Sequence, residues 1–199
     1  MVLPPLPVAV LLVFLLLAFS GGLHLDGLAD TADGFFSARS RTRMLEIMHD
    51  STIGPMGVIA LVLLLLLKVT CLSSLSSQLI PAILLMPIAG RTAILLLMAL
   101  QPYARTEEGL GSIFAPYFNN FTARMTAFAG LIFFSGMAWG TVGARGALAV
   151  FTVILLTALF AALCSRKIGG ITGDTLGAIC ELAEAMIALI FVIRIDGIV

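Results

Sequence analysis

The sequence predicts an all-α integral membrane protein: a bundle of about six transmembrane helices whose polar loops converge on the cytoplasmic face. Three observations predict this fold: the composition, the length of the apolar runs and the placement of Lys and Arg. Of the 199 residues, 60% are hydrophobic and 11% are charged, and the mean hydropathy is +1.14. A soluble domain of this size cannot bury so much apolar surface, because roughly 30% of what its unfolded chain exposes stays exposed after folding.

Six continuous apolar runs are long enough to span a bilayer, since about 20 helical residues cross its hydrocarbon core. We place these spans at 4–22, 55–76, 79–101, 124–142, 146–164 and 176–194. The first run has no basic segment before it, so we interpret it as a retained helix rather than a secretory signal. The longer polar connections between the spans are 23–54, 102–123 and 165–175. We treat residues 1–199 as a single polytopic membrane domain.

The Lys and Arg residues predict the orientation. Most of them fall in or beside the three polar connections: Arg39, Arg41, Arg43, Arg105, Arg124, Arg166 and Lys167. The opposite side has Arg145 in a loop and Arg194 near the end of the chain. Cytoplasmic loops carry the excess of basic residues, so all three polar connections are expected on the cytoplasmic side.

Charge and cysteine content exclude other classes of protein. The formal net charge is zero and no Lys/Arg cluster occurs, which argues against nucleic-acid binding. The cysteines Cys71, Cys164 and Cys180 lie in or beside apolar runs without CxxC spacing. We interpret them as packing residues rather than as a metal site or a disulfide framework.

The stretch "GGLHLDGLADTADGFF" (residues 21–36) follows the first apolar run and carries Asp26, Asp30 and Asp33. Residues four and seven positions apart on a helix lie about 40° and 20° from a common line, so the three acids form one stripe. Like charges at this spacing repel each other. A divalent cation would offset the repulsion, and carboxylate oxygens suit Mg²⁺, with Mn²⁺ as an alternative ion.

A competing interpretation is a solvated acidic face that pairs with the arginines at 39, 41 and 43. We favour metal binding because small residues separate the acids and would leave room for a ligand: Gly27, Ala29, Thr31, Ala32 and Gly34. If the acids serve a metal, Asp30→Ala or Asp33→Ala should abolish activity and leave the fold intact, since like-charge repulsion is relieved.

Asp50 and His24 flank this stripe in the sequence. Asp50 begins the turn-rich run "DSTIGPMG" and is either the N-cap of the helix at 55–76 or a fourth metal-binding or base carboxylate. His24 precedes Asp26 by two residues, where it would contact a phosphate or a metal, or serve as a local hydrogen-bonding residue. Both alternatives stay open for each residue.

The third polar connection, "SRKIGGITGDTLG" (165–177), is rich in glycine and opens a helix. Such a loop can present backbone N–H groups to a phosphate. Lys167, Thr172 and Asp174 are the candidate ligand-contacting side chains here. The alternative is that the glycines at 169 and 170 terminate the preceding helix.

Charged residues also occur inside the apolar segments. Arg91 lies in the third span, and Glu181 and Glu184 lie in the last. Ionisable residues at such depth usually pair inside the bundle, so we expect a structural pair between Arg91 and a glutamate. The alternative is a polar cavity that accepts part of a substrate, with Glu181 as a contact. Lys68 is expected to extend its ammonium to the membrane interface.

Five stretches together resemble the cobalamin synthase family, also called adenosylcobinamide-GDP ribazoletransferase. They are "GGLHLDGLADTADGFF", "RMLEIMHDSTIGPMG" at 43–57, "GR" at 90–91, "YARTEEGLG" at 103–111 and "GGITGDTLGAICELAE" at 169–184. They occur in the order that the family has, and the resemblance covers essentially the whole chain. Members of this family usually have a further amino-terminal stretch with another membrane segment, which we expect to be absent here.

The resemblance implies a phosphoryl transfer that joins adenosylcobinamide-GDP to α-ribazole, or its 5′-phosphate, and releases GMP. It also implies a multi-pass protein of the prokaryotic cytoplasmic (inner) membrane whose active site faces the cytoplasm; a homo-oligomer is left open. The expected metal ligands are Asp26, Asp30, Asp33 and Asp50, and the expected catalytic residues are Asp33, Asp30 and His24. The expected substrate-binding residues are Arg39, Arg43, Arg105, Lys167, Thr172, Asp174 and Glu181.

Two other functions compete with this one. CDP-alcohol phosphotransferases share a D-x2-D-G pattern that Asp30, Asp33 and Gly34 match, but Ala38 and Arg39 follow three residues later rather than two. A divalent-cation transporter would use intramembrane acids as its pathway. The acids here cluster at one membrane face, whereas transporter sites lie near the midplane.

Overall fold

The computed structural model describes residues 3–104 and 118–193. Over these ranges the chain contains helices and no strand, which confirms the predicted fold class. The helices are α1 (Pro5–Ser20), α2 (Leu23–Phe36), α3 (Arg41–Ile47), α4 (Pro55–Ser74), α5 (Leu79–Leu100), α6 (Phe121–Val142), α7 (Ala144–Ile168) and α8 (Gly173–Val192).

Five of these helices, α4 to α8, are long and apolar enough to cross a membrane. The helix α1 has 16 residues and meets α2 at a bend of 89°; counted as one broken span, the pair brings the total to six. Gly21 and Gly22 make the bend with φ angles of 60° and 78°. Residues that carry a side chain rarely adopt this left-handed backbone conformation, so glycine suits both positions. The polar connection predicted at 23–54 therefore contains two helices, and α2 is the helix on which the three acids were placed.

The helix α8 is the centre of the bundle. It packs against α2, α4, α5 and α7, and most of its residues are buried. The helix α6 lies at the periphery and packs against α5 and α7, and α1 packs against α4. Close approach of α5 to α8 depends on Gly90, where an added Cβ would lie 2.6 Å from the Cys180 Sγ atom.

The three polar connections meet at one end of the bundle, as the sequence predicts. The Ala104 N–H donates to the Ile171 carbonyl at 2.8 Å, and the Ile171 N–H donates to the Pro102 carbonyl at 2.9 Å. The Lys167 ammonium donates to the Phe35 carbonyl at 2.8 Å. These bonds join the end of α5 to the segment that precedes α8, and the end of α7 to the end of α2. We call this end of the bundle the polar junction.

Candidate active site at the polar junction

The acids of α2 form a single accessible face. Between residues 27 and 35 every residue is buried except Asp30 and Asp33, which are half-buried, and Asp26 is exposed. The predicted stripe is therefore confirmed, and it is the only part of this stretch of α2 that a ligand can reach.

The small residues of α2 do not leave room for a ligand, and that expectation was wrong. An added Cβ on Gly27 would lie 2.6 Å from the Asp174 carbonyl oxygen, and one on Gly34 would lie 2.5 Å from the Met48 Cγ atom. Both contacts are tighter than real Cβ atoms tolerate, so the glycines allow α2 to lie against the first turn of α8 and against the end of α3. The contact at Gly27 also brings the α8 N-terminus beside the acid stripe.

Asp33 caps the N-terminus of α4. Its Oδ2 atom accepts a hydrogen bond from the Gly54 N–H at 2.7 Å, and its Oδ1 atom accepts one from the Gly57 N–H at 2.9 Å. Gly54 is the N-cap residue of α4 and supplies no capping side chain of its own. A carboxylate is favourable at this position because the first N–H groups of a helix lack intrahelical partners and carry partial positive charge.

Asp50 is not the N-cap of α4, and that interpretation was wrong. Its Oδ1 atom accepts hydrogen bonds from the Thr52 N–H at 2.9 Å and from the Thr52 hydroxyl at 2.6 Å, which closes a local exposed turn. These bonds hold the pKa of the Asp50 carboxyl below its ordinary value, because they favour the charged form. Asp33 occupies the capping position instead, because the 89° bend after α1 and the packing of α2 place it beside Gly54.

A cavity of about 340 Å³ lies beside the start of α4. Asp33 and Asp50 both line it, together with Ser37 and Thr52. Two of the four predicted metal ligands therefore border a common space, and Asp30 lies one turn along α2 from Asp33.

The glycine-rich segment terminates one helix and caps the next. Gly169 ends α7 with φ of 73°, which agrees with the helix-terminating interpretation. Thr172 is the N-cap of α8 and forms a capping box with Thr175. The Thr172 hydroxyl also donates to the Asp174 carboxylate at 3.2 Å. Lys167 caps the end of α2 through its bond to Phe35. These predicted substrate-contacting residues thus have structural partners at the junction.

The remaining predicted residues lie around this site. Arg39 is exposed between α2 and α3, and Arg43 is exposed and pairs with Glu46 at 2.7 Å. His24 is half-buried in the first turn of α2. Arg105 lies outside the described residues.

The structure also identifies Arg41, which the sequence analysis had used for the orientation and for a solvated face but not as a site residue. Its guanidinium points to the Ala104 carbonyl at 3.5 Å and lies against Gly169. Arg41 lies in the first polar connection and therefore contacts both the second and the third. No local signal distinguished it from Arg39 and Arg43, because the contact depends on how the three connections meet.

A cluster of four charges lies inside the bundle, away from the junction. The Lys68 ammonium contacts the Glu181 carboxylate at 2.7 Å and the Glu184 carboxylate at 2.8 Å, and all three side chains are 3–4% exposed. Arg91 contacts Glu184 at 2.6 Å, which confirms the predicted Arg91–glutamate pair. We call these four residues the buried ion cluster.

The expectation that Lys68 extends to the membrane interface was wrong. Lys68 follows Pro55 by 13 positions, which corresponds to roughly 20 Å along α4 from the polar junction. Glu181 and Glu184 lie one turn apart on α8, and two buried carboxylates need two cations for their charges to balance. The sequence shows both glutamates and therefore indicated that Arg91 alone was not enough. The structure places Glu181 in this cluster and not at the junction with the other predicted substrate contacts.

The carboxylates of α2 suit a metal site in which a substrate supplies some of the ligands. Within residues 3–104 and 118–193, no three His, Cys, Asp or Glu side chains come close enough to hold a common ion. Mg²⁺ is commonly bound by one or two carboxylates together with substrate phosphates and water rather than by an all-protein cage. The accessible stripe of Asp26, Asp30 and Asp33 supplies carboxylate oxygens of that kind.

Comparison with known proteins agrees with the sequence resemblance. Residues 1–192 match the family model described as cobalamin-5-phosphate synthase. The protein named adenosylcobinamide-GDP ribazoletransferase of Desulforamulus reducens is 40% identical over 179 residues, which cover 89% of this chain and 70% of the relative. Proteins of the same name from Citrobacter koseri and Acetivibrio thermocellus are 42% and 38% identical; the matches cover 92% and 94% of this chain and 74% and 75% of the relatives. No solved structure matches the chain.

Proposed function

The chain belongs to the cobalamin-5-phosphate synthase family, and on that premise we propose that it joins adenosylcobinamide-GDP to α-ribazole, or its 5′-phosphate, and releases GMP. It is a multi-pass membrane protein and a transferase of cobalamin biosynthesis. The observation that carries the proposal is the acid stripe of α2, which opens onto the polar junction beside the first turn of α8. The excess of Lys and Arg at this junction supports a cytoplasmic orientation, and the prokaryotic inner membrane is what the family resemblance implies.

In the proposed reaction a hydroxyl of α-ribazole attacks the phosphorus atom that carries the cobinamide. A new P–O bond forms, the bond to the GMP oxygen breaks, and GMP leaves with that oxygen. The hydroxyl proton must pass to a base near the attacking atom. The base would be a carboxylate oxygen of the stripe that does not bind the cation. Asp30 is our choice, because it lies on the accessible face of α2 one turn from Asp33, whose two oxygens accept N–H groups of α4. Asp33 then acts by fixing α2 against α4, and His24 stays a candidate for contact with the donor.

The diphosphate brings negative charge next to the acid stripe, so cations are required between them. Asp26 and Asp30 would hold Mg²⁺ or Mn²⁺, with Asp33 and Asp50 as further ligands. When bound, such an ion neutralises the diphosphate and the charge that develops on the leaving oxygen. Arg39, Arg43, Lys167 and Thr172 would contact the phosphates at the junction, and Asp174 would lie on the metal side. Arg105, outside the described residues, stays a substrate-binding candidate from the sequence.

The test is a single incubation of the purified protein. With Mg²⁺, adenosylcobinamide-GDP and α-ribazole present, we expect GMP and the joined corrinoid product in equal amounts by liquid chromatography and mass spectrometry. Asp30→Asn should abolish both products, and Arg145→Lys, at the opposite end of the bundle, should not. Turnover of a CDP-alcohol with no GMP from the cobinamide donor would contradict the proposal.

A further inference from the structure

A second cavity, of about 360 Å³, lies between the end of α5 and the start of α6. Its apolar lining consists of Leu96, Ala99 and Leu100 from α5 and of Ala127, Phe128 and Leu131 from α6. Next to its inner end the two helices touch, since an added Cβ on Gly130 would lie 2.9 Å from the Leu95 Cδ1 atom. The cavity is therefore a slot that is open near the polar junction and closed toward the membrane centre. We call it the α5–α6 slot.

The α5–α6 slot opens to the membrane. The helix α6 is the least buried of the five long apolar helices, and Phe128 beside the slot is 60% exposed. Apolar side chains on such a peripheral helix face lipid tails, which are as apolar as they are. An empty apolar slot would forfeit van der Waals contacts, so a lipid chain is favoured there. Arg124 and Leu131 mark its two ends, roughly 10 Å apart along α6, a length that suits the first part of one acyl chain.

The two polar side chains of the α5–α6 slot, Asn119 and Arg124, lie together at its junction end. The Arg124 Nη2 atom donates to the Asn119 Oδ1 atom at 3.2 Å. The Asn119 N–H in turn donates to the Met98 carbonyl of α5 at 2.8 Å, and Asn119 has a φ angle of 48°. Asparagine adopts this conformation more readily than most residues. Asn119 is thus fixed on α5 and orients the Arg124 guanidinium beside the slot.

The positive charge of Arg124 is available to a ligand. Its side chain is exposed, and over residues 3–104 and 118–193 it forms an ion pair with no carboxylate. Arg124 is also in the first turn of α6, where the helix N-terminus adds partial positive charge. The complementary ligand has an anionic head at the level of the helix ends and an apolar chain below it. An anionic phospholipid has both parts.

We propose that the α5–α6 slot binds one anionic phospholipid, with its phosphate on Arg124 and one acyl chain between the two helices. Basic pockets between transmembrane helices on the cytoplasmic side bind lipid head groups in this way. The bound lipid contacts both helices and therefore stabilises the attachment of the peripheral α6 to α5. This proposal is independent of the transfer reaction and of its substrates.

The experiment measures lipid binding to the delipidated protein in detergent. Native mass spectrometry and thermal unfolding are recorded with phosphatidylglycerol, with phosphatidylcholine of the same chains, or with inorganic phosphate alone. We expect one phosphatidylglycerol to bind about fivefold more tightly than phosphatidylcholine and to raise the Tm, because one cation contacts the anionic head. Arg124→Gln should remove this preference. Arg145→Gln, the same change at the opposite end of the bundle, should keep it.

A second variant tests the slot itself. Ala99→Leu places extra side-chain volume in the α5–α6 slot and should weaken the binding of both lipids, whether or not Arg124→Gln folds. Ala129→Leu, on the exposed side of α6 and outside the slot, should not. Equal binding of the two lipids by the unmodified protein would overturn the proposal, as would a preference that survives both Arg124→Gln and Ala99→Leu. The same Tm rise with inorganic phosphate alone would show an anion site without a lipid, and a lipid-independent dimer that Ala99→Leu disrupts would show a second copy of the chain in the slot; either result also overturns it.

Discussion

Replacing Lys68 with methionine removes the one cation among the described residues that contacts both Glu181 and Glu184 of α8. The ammonium lies 2.7 Å from Glu181 and 2.8 Å from Glu184, and these side chains are 3–4% exposed. After the change two buried carboxylates share Arg91 alone. Removing one partner of a buried ion pair leaves an uncompensated charge, and we expect the free energy of unfolding to fall by about 3–5 kcal/mol.

The double variant Lys68→Met/Glu181→Gln restores the balance of charge. It leaves Arg91 and Glu184 in contact at 2.6 Å, so its loss of stability should be about 2 kcal/mol smaller than that of Lys68→Met. The assay is reversible unfolding in detergent micelles of the four proteins of the cycle, with Glu181→Gln as the fourth member. If the losses of the two single variants simply add, the charges do not interact and the reasoning is refuted.

Three further predictions follow from the site. Asp33→Ala should lower the free energy of unfolding by about 1–2 kcal/mol, because α4 loses its cap. Asp30→Ala should keep its stability and lose GMP release. Equal stability of the two variants would show that Asp33 does not act as the cap. Gly27→Ala should cost about 1–3 kcal/mol, because its Cβ would meet the α8 backbone, while Gly136→Ala, with open space around it, should not; thermal unfolding compares them. The hydrogen bonds from Thr52 lower the pKa of the Asp50 carboxyl below its ordinary value of 3.8. The charged carboxylate should therefore stabilise its turn above pH 3.8, and this stabilisation should be lost as the pH falls through the lowered pKa. An NMR titration of the Asp50 carboxyl measures that pKa.

Those parts of the structure that depend on periodicity and charge placement could be predicted from the sequence. The stripe of Asp26, Asp30 and Asp33 follows from helical spacing alone. The meeting of the three connections follows from six spans and the positions of Lys and Arg. Arg91 was paired correctly with a glutamate because a buried charge in an apolar segment needs a partner.

The errors concern which helix faces meet, and the sequence does not specify that directly. Gly27 and Gly34 were interpreted as space for a ligand, but tight helix packing requires small residues for the same steric reason. Asp50 was a reasonable N-cap by its distance along the chain, but Asp33 reaches the same N–H groups from another helix. Lys68 was assigned to the interface because long cationic side chains commonly extend there. Its two partners lie more than 100 positions away in the sequence, so no local pattern indicated them.

The position of Asp33 also changes the electrostatic argument for the metal. Three acids on one face of α2 repel each other, and the sequence left a divalent cation as the means of offset. The N-terminus of α4 supplies part of that offset, because two of its N–H groups bind Asp33. Asp26 and Asp30 lie one turn apart next to Gly27, which touches the first turn of α8. The cation is therefore expected at the α8 end of the stripe, where a diphosphate can also approach the α8 N-terminus, while Asp33 keeps the stripe in position.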